Sequence, residues 1–357
     1  MKDIGKFTLI IIAFMFFSLN NILKYTDSIT KQLIFYGIGF LIFFGVSKMD
    51  KRLIFKTIIP IYIILNVLLL YLLLFGTSIN GSKAWINLGF FSFQPSELMK
   101  ITLIILLSLI ISTKEKYLVI SLIVTLIPSV LTFLEPDTGN VIFYFVILFA
   151  VLILKIKNIR KIIPYIFILV IGIFLFMGLY FGNKSLFVKI FGSSFFYRMD
   201  RVVNLFSSSY QLDMALMNMG VSGFLGNNAV SSIPEATTDF AFSLLVSLNG
   251  FVGTSIFLII NFYLDMLIIR KIDNTDIIMQ YITFSFLFMK IFQSSIHILM
   301  NIGLLPITGI TLPFISSGGT SLLTYFFALG LINNSHNIVE DKNYSKDYNK
   351  GYNMEIG

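Results

Sequence analysis

The sequence contains no cysteine, which excludes disulfides, thiolate nucleophiles and thiol-bound metals. Histidine is confined to His297 and His336, so a His-rich metal site is excluded too. Charge is scarce: Asp, Glu, Lys and Arg make up 12% of 357 residues, against roughly 25% in a soluble domain. Trp85 is the single tryptophan. What fills the chain instead is apolar, with 57% hydrophobic residues and a mean hydropathy of +0.89. The apolar runs are long and unbroken, unlike the roughly ten-residue alternating segments of a membrane barrel. The expected fold class is an all-α polytopic membrane protein. The first apolar segment lacks a small-residue cleavage site and reads as a retained span.

About ten spans of roughly 17–25 residues are expected. They cover residues 6–23, 29–47, 53–76, 96–113, 117–134, 139–155, 162–182, 239–269, 277–300 and 315–334. Lys and Arg set the orientation. With the N-terminus inside, seventeen of the 26 basic residues fall on the cytoplasmic side, in groups such as Lys48, Lys51, Arg52 and Lys56. Seven fall outside: Lys24, Lys31, Lys83, Lys184, Lys189, Arg198 and Arg201. Lys100 and Lys290 sit within spans. Both termini are therefore expected in the cytoplasm. The net charge of +8 is a topology signal, and no nucleic-acid partner is needed. A long extracellular loop, 183–238, separates spans 7 and 8 and is expected to be partly ordered. Residues 1–335 read as a single transmembrane domain, and 336–357 as a disordered cytoplasmic tail.

The stretch SSIPEATTDFAFSLLVSLNGFVG, 231–253, places Asp239 where a polar loop meets an apolar run. Two readings are open. Asp or Thr just ahead of a helix is a natural N-cap, and an acid at a membrane boundary is also a candidate functional group. Other polar features accompany it. In GSKAWINLGFFSFQPSELMKI, 81–101, Trp85 reads as an interfacial anchor. Pro95 opens a helix that Ser96 would cap. Glu97 and Lys100 follow at i,i+3 on one helix face, an ion pair that is either functional or orients helices. Glu135-Pro136-Asp137 reads first as a turn and cap. Arg198 and Arg201 could bind phosphate groups, pair with Asp200 or meet lipid headgroups. From Asn301 to Ser321, Pro306, Pro313 and several glycines break an apolar stretch. Such a break at membrane depth fits the wall of a cavity.

Taken in order, GSKAWINLGFFSFQPSELMK, EPDTG, RVVNLF followed by YQ, PEATTDFAF…GFVG and LLPITGITLPFISSGGTS resemble the SEDS family (shape, elongation, division and sporulation), the RodA/FtsW/SpoVE-like proteins. The resemblance runs from about residue 5 to 335. It implies a ten-span SEDS fold and a peptidoglycan glycosyltransferase that polymerises lipid II in elongation, division or sporulation. It implies a bacterial cytoplasmic membrane location, an undecaprenyl-linked glycan product and a class B penicillin-binding protein as partner, with membrane lipids around it. On the matching positions it makes Asp239, within the motif that includes Glu235, the family's key acidic residue and the candidate catalytic base. Glu97, Lys100 and Arg201 are the family's matching charged residues. Lys100, Arg198 and Arg201 could serve a lipid pyrophosphate. Tyr210, Gln211, Ser317, Gly318 and Gly319 fall in matching motifs and join the substrate-binding candidates. A divalent cation, Mg or Mn, is a candidate cofactor.

The chain is a divergent member by this comparison. Ser247 and Leu248 stand where many relatives have a Glu pair, and His297-Ile298-Leu299 stands where an Asn–Ile–Gly run is frequent. A lipid II flippase and a non-catalytic scaffold that activates a partner synthase are the competing readings. Clustering of the polar residues on the outer side favours the enzyme over the flippase.

Overall fold

A computed structural model describes residues 2–25, 29–76, 83–87, 89, 91–113, 117–135, 137–155, 182–191, 210–227, 233–273 and 275–334. The helices are α1 (Lys2–Tyr25), α2 (Ile29–Lys48), α3 (Lys51–Phe75), α4 (Pro95–Thr113), α5 (Tyr117–Leu134), α6 (Thr138–Lys155), α7 (Lys184–Phe191), α8 (Tyr210–Gly220), α9 (Ala241–Ile272), α10 (Ile277–Asn301) and α11 (Gly319–Asn333). Eight of these are long and apolar enough to cross a membrane, and α11 is a shorter apolar helix. Residues 162–181 of the expected span 162–182, and the tail 336–357, lie outside the described residues. The chain is an all-α multi-pass membrane protein. One small addition was not expected: Ile86–Asn87 and Ser92–Phe93 form a two-stranded antiparallel ribbon ahead of α4, with Ile86 opposite Phe93.

Burial sorts the helices into two kinds. Helix α4 is enclosed on nearly every side, from Met99 through Ile111. It packs against α3, α5, α6, α10 and α11. A helix apolar all round belongs in such a position. Helices α3 and α5 are peripheral and present Ile63, Ile64, Val67, Val119 and Ile123 outward, as lipid-facing helices do.

Two expected boundaries moved. The last span was expected from residue 315, but α11 starts at Gly319. The preceding segment is held irregular. Phe314 has φ 66°, its carbonyl accepts from the Tyr36 hydroxyl at 2.5 Å, and the Ile315 carbonyl accepts from Ser18 Oγ at 2.8 Å. Side chains of α1 and α2 thus satisfy backbone groups that a helix would otherwise satisfy itself. The second change is in α9, which is broken at Gly250, φ 62° and ψ −166°. The loop after α8 docks into the break. Phe251 N–H donates to Gly223 O at 3.0 Å, Val252 N–H donates to Phe224 O at 3.1 Å, and Asn227 N–H donates to Ser247 O at 2.8 Å. A Cβ on Gly250 would lie 2.3 Å from Gly226 N. Only glycine fits both the backbone angle and the approach.

Candidate functional site

A cavity of about 310 Å³ opens at the end of the bundle where α4, α6 and α9 begin. Trp85, Glu97, Lys100, Asp137, Glu235, Asp239, Ser317 and Gly318, all singled out from sequence, line it together. Gln94, Asn140, Gln293, Thr308, Gly309 and Thr311 line it as well.

The α4 wall carries the ion pair. Lys100 Nζ lies 2.8 Å from Glu97 Oε2, with side-chain exposures of 1% and 8%. Lys100 also donates to Gln293 Oε1 at 3.4 Å, and its ammonium sits 5.0 Å from the Phe143 ring centroid. Gln293 in turn accepts from Tyr325 at 2.7 Å and donates to Thr311 O at 2.9 Å. The cation is thereby held by groups of α4, α6 and α10.

The α6 wall is organised by Asp137. Its Oδ2 accepts from Gln94 Nε2 at 2.8 Å, Ser96 Oγ at 2.8 Å and Asn140 Nδ2 at 2.9 Å. The Asn140 N–H reaches Oδ1 at 3.3 Å. Asp137 does contact the start of α6, as the cap reading required, but it also joins that helix to α4. Ser96 is not the cap of α4: the helix begins at Pro95, one residue earlier, and the Ser96 hydroxyl goes to Asp137.

The α9 wall carries Asp239. A tight turn precedes it, in which Glu235 has φ 55° and its carbonyl accepts from the N–H groups of Thr238, Asp239 and Phe240. The turn is clamped to the broken segment: Ser316 Oγ donates to Thr238 O at 2.8 Å, and Ser317 N–H donates to Thr237 O at 2.8 Å. Gly309, φ 70°, comes so close that a Cβ there would lie 3.9 Å from Asp239 Oδ2. The capping reading of Asp239 is overturned, because Phe240 occupies the cap position and no side chain of the segment caps α9. Among the described residues no donor reaches the Asp239 carboxylate. Burial first, and the neighbouring Glu235 charge second, push its pKa up to about 6.

Other candidates fall elsewhere. Tyr210 starts α8 and is 69% exposed, and neither it nor Gln211 lines the cavity. Gly319, Pro95, Pro306 and Pro313 shape the neighbouring backbone but are not lining residues. Arg198 and Arg201 lie outside the described residues. Lys290 does not face the cavity. It is buried between α10 and α9, donating to Asp265 at 2.6 Å and to Asn261 at 2.7 Å.

The cavity is built from the motif stretches that carry the SEDS resemblance, and the comparison with known proteins agrees. A family model described as cell cycle protein, FtsW/RodA/SpoVE, matches residues 4–340. This chain belongs to the FtsW/RodA/SpoVE family. A probable peptidoglycan glycosyltransferase FtsW of Wigglesworthia glossinidia brevipalpis is 32% identical over 85% of this chain and 82% of its own length. Stage V sporulation protein E of Bacillus subtilis (strain 168) is 28% identical over 87% of this chain and 88% of its own. Among solved structures, a chain from a peptidoglycan synthase complex has a TM-score of 0.79 at 23% identity, covering 92% of this chain and 96% of that one. The FtsW/RodA/SpoVE family fold is therefore present over nearly the whole chain.

Proposed function

We propose that this protein is a peptidoglycan glycosyltransferase that polymerises lipid II into glycan strands at the outer face of the bacterial cytoplasmic membrane, with both termini in the cytoplasm. The observation that carries the reading is the shared cavity, with the Asp239 carboxyl on one wall and the buried Lys100 on another. Sugar transfer needs a base for the proton of the attacking hydroxyl and positive charge for the leaving pyrophosphate. Asp239 supplies the base. Its pKa of about 6 leaves it ionised at neutral pH, yet a stronger base than an ordinary carboxylate. Lys100 supplies the charge, and Glu97 and Gln293 hold it in place. Arg198, Arg201, Tyr210 and Gln211 belong to the proposal as further contacts to the lipid-linked substrate.

A divalent cation, Mg2+ or Mn2+, belongs to it as well. Mg2+ is held through one or two carboxylates plus substrate phosphates, and here it would enter with the pyrophosphate, whose charge it offsets. Among the described residues no three metal-ligating side chains cluster. The partner is a class B penicillin-binding protein. The association of a structural neighbour with a peptidoglycan synthase complex supports it.

The test is glycan-strand formation from lipid II by the purified full chain in detergent, alone and with a class B penicillin-binding protein. Flipping is not required in detergent. Strands are expected. Their absence under both conditions would favour a flippase or a scaffold.

A further inference from the structure

The first turn of a helix has N–H groups with no partner inside the helix, and a side chain just ahead of it normally accepts from the second or third of them. In α9 these are the N–H groups of Phe242 and Ser243, and Asp239 is the acid next to the cap position. Yet both N–H groups are bonded from another helix. Phe242 N–H donates to His297 Nε2 at 3.4 Å, and Ser243 N–H donates to Asn301 Oδ1 at 2.9 Å. His297 and Asn301 lie one turn apart on α10, and both are fully buried.

Their remaining polar atoms are committed too. His297 Nδ1 faces the Ile310 carbonyl at 2.6 Å. That nitrogen must carry the proton, which leaves Nε2 as an acceptor. Asn301 Nδ2 donates to the Asp239 carbonyl at 3.0 Å and to His297 O at 2.9 Å. One face of α10 therefore holds the helix start, the backbone of Asp239 and the opposing loop at Ile310.

We propose that His297 and Asn301 cap α9 in trans, and that this keeps the Asp239 carboxylate from capping its own helix and leaves it open to the cavity. They are positioning residues, and their effect on rate rests on the reading of Asp239 as the base. Without them, the acidic side chain adjacent to the cap position, Asp239, is left to compete for the freed N–H groups. A carboxylate that accepts backbone N–H bonds is a weaker base and is turned away from substrate.

The test reads Asp239 directly: carbodiimide labelling of the purified full chain against pH, followed by mass spectrometry of the Asp239 peptide. Only the protonated carboxyl reacts efficiently. Glu235, Glu97, Lys100 and Asp137, which share the cavity with Asp239, are unchanged throughout. Wild type should lose labelling near pH 6. In His297→Leu and in Asn301→Ala the midpoint should fall by about one unit or more. His297→Gln, which keeps an acceptor and a donor, should restore the wild-type midpoint. If either of the two disruptive variants fails to fold, the other reads the same quantity. A midpoint unmoved in the folded disruptive variants would overturn the proposal, as would failure of His297→Gln to differ from His297→Leu. Polymerisation is measured alongside, where kcat should fall about tenfold or more in the disruptive variants with KM little changed. A wild type inactive on lipid II whose variants still shift the labelling midpoint would remove the enzymatic reading and leave the trans cap standing.

Discussion

Lys100 Nζ lies 2.8 Å from Glu97 Oε2 on the same face of α4, and the lysine side chain is 1% exposed. Breaking such a pair strands the surviving charge. Lys100→Met should destabilise the protein by roughly 3–5 kcal/mol, whereas Glu97→Gln with Lys100→Met should cost clearly less. Thermal unfolding in detergent measures both. Neither protein should make glycan, because the charge facing the pyrophosphate is gone.

Glu235 contributes the smaller part of the upward push on Asp239, after burial. Removing its charge therefore lowers the Asp239 pKa below about 6 without restoring the ordinary value. The rate limb that rises with pH should move to lower pH in Glu235→Gln. A pH–rate profile checks the direction, and a limb that moves to higher pH contradicts it.

A raised carboxylate pKa has a stability consequence. Above pH 6 the folded protein carries a desolvated charge on Asp239, while below it the group is neutral. Asp239→Asn removes that charge. The variant should be more stable than wild type at pH 8 by on the order of 1–3 kcal/mol. The gain should fall to about half at pH 5 and vanish only below the ordinary carboxylate value of 3.8. Paired melting curves at the two pH values check it.

Two glycine positions separate folding from function. A methyl at Gly250 would collide with the backbone of Gly226 and Phe224, so Gly250→Ala should lower the yield of folded protein. A methyl at Gly309 meets Asp239 only at 3.9–4.0 Å, with strain from φ 70°. Gly309→Ala should fold and lose activity by about tenfold, since modest misplacement of reacting groups is costly. Size-exclusion profiles and turnover of the recovered protein distinguish the two.

Much of this was legible in the residues. The long apolar runs gave the spans, and the one-sided scatter of polar groups among them marked Glu97, Lys100, Asp137 and Asp239, which line one cavity. What was not legible depends on contacts between distant segments. Ser96 looks like a cap because it follows Pro95, yet its hydroxyl serves Asp137, 41 residues on. Asp239 looks like a cap by local rules, and is relieved of that role by residues about 60 positions away. Gln94, Asn140 and Gln293 carry no charge and no signature spacing, so local pattern could not rank them. The signal that could have found His297 was there: the chain departs at this position from the run that is frequent in the family. The kink at Gly250 was hidden because the apolar run continues on both sides of it.

The measurement that bears most directly on Asp239 as the base is glycan-strand formation from lipid II by wild type and Asp239→Asn across pH 5–8. The account predicts wild-type activity that rises through about pH 6. It predicts a loss of about 10²-fold or more in the variant at every pH. A variant that keeps the wild-type rate and the same rise would leave the cavity in place and remove Asp239 from its chemistry.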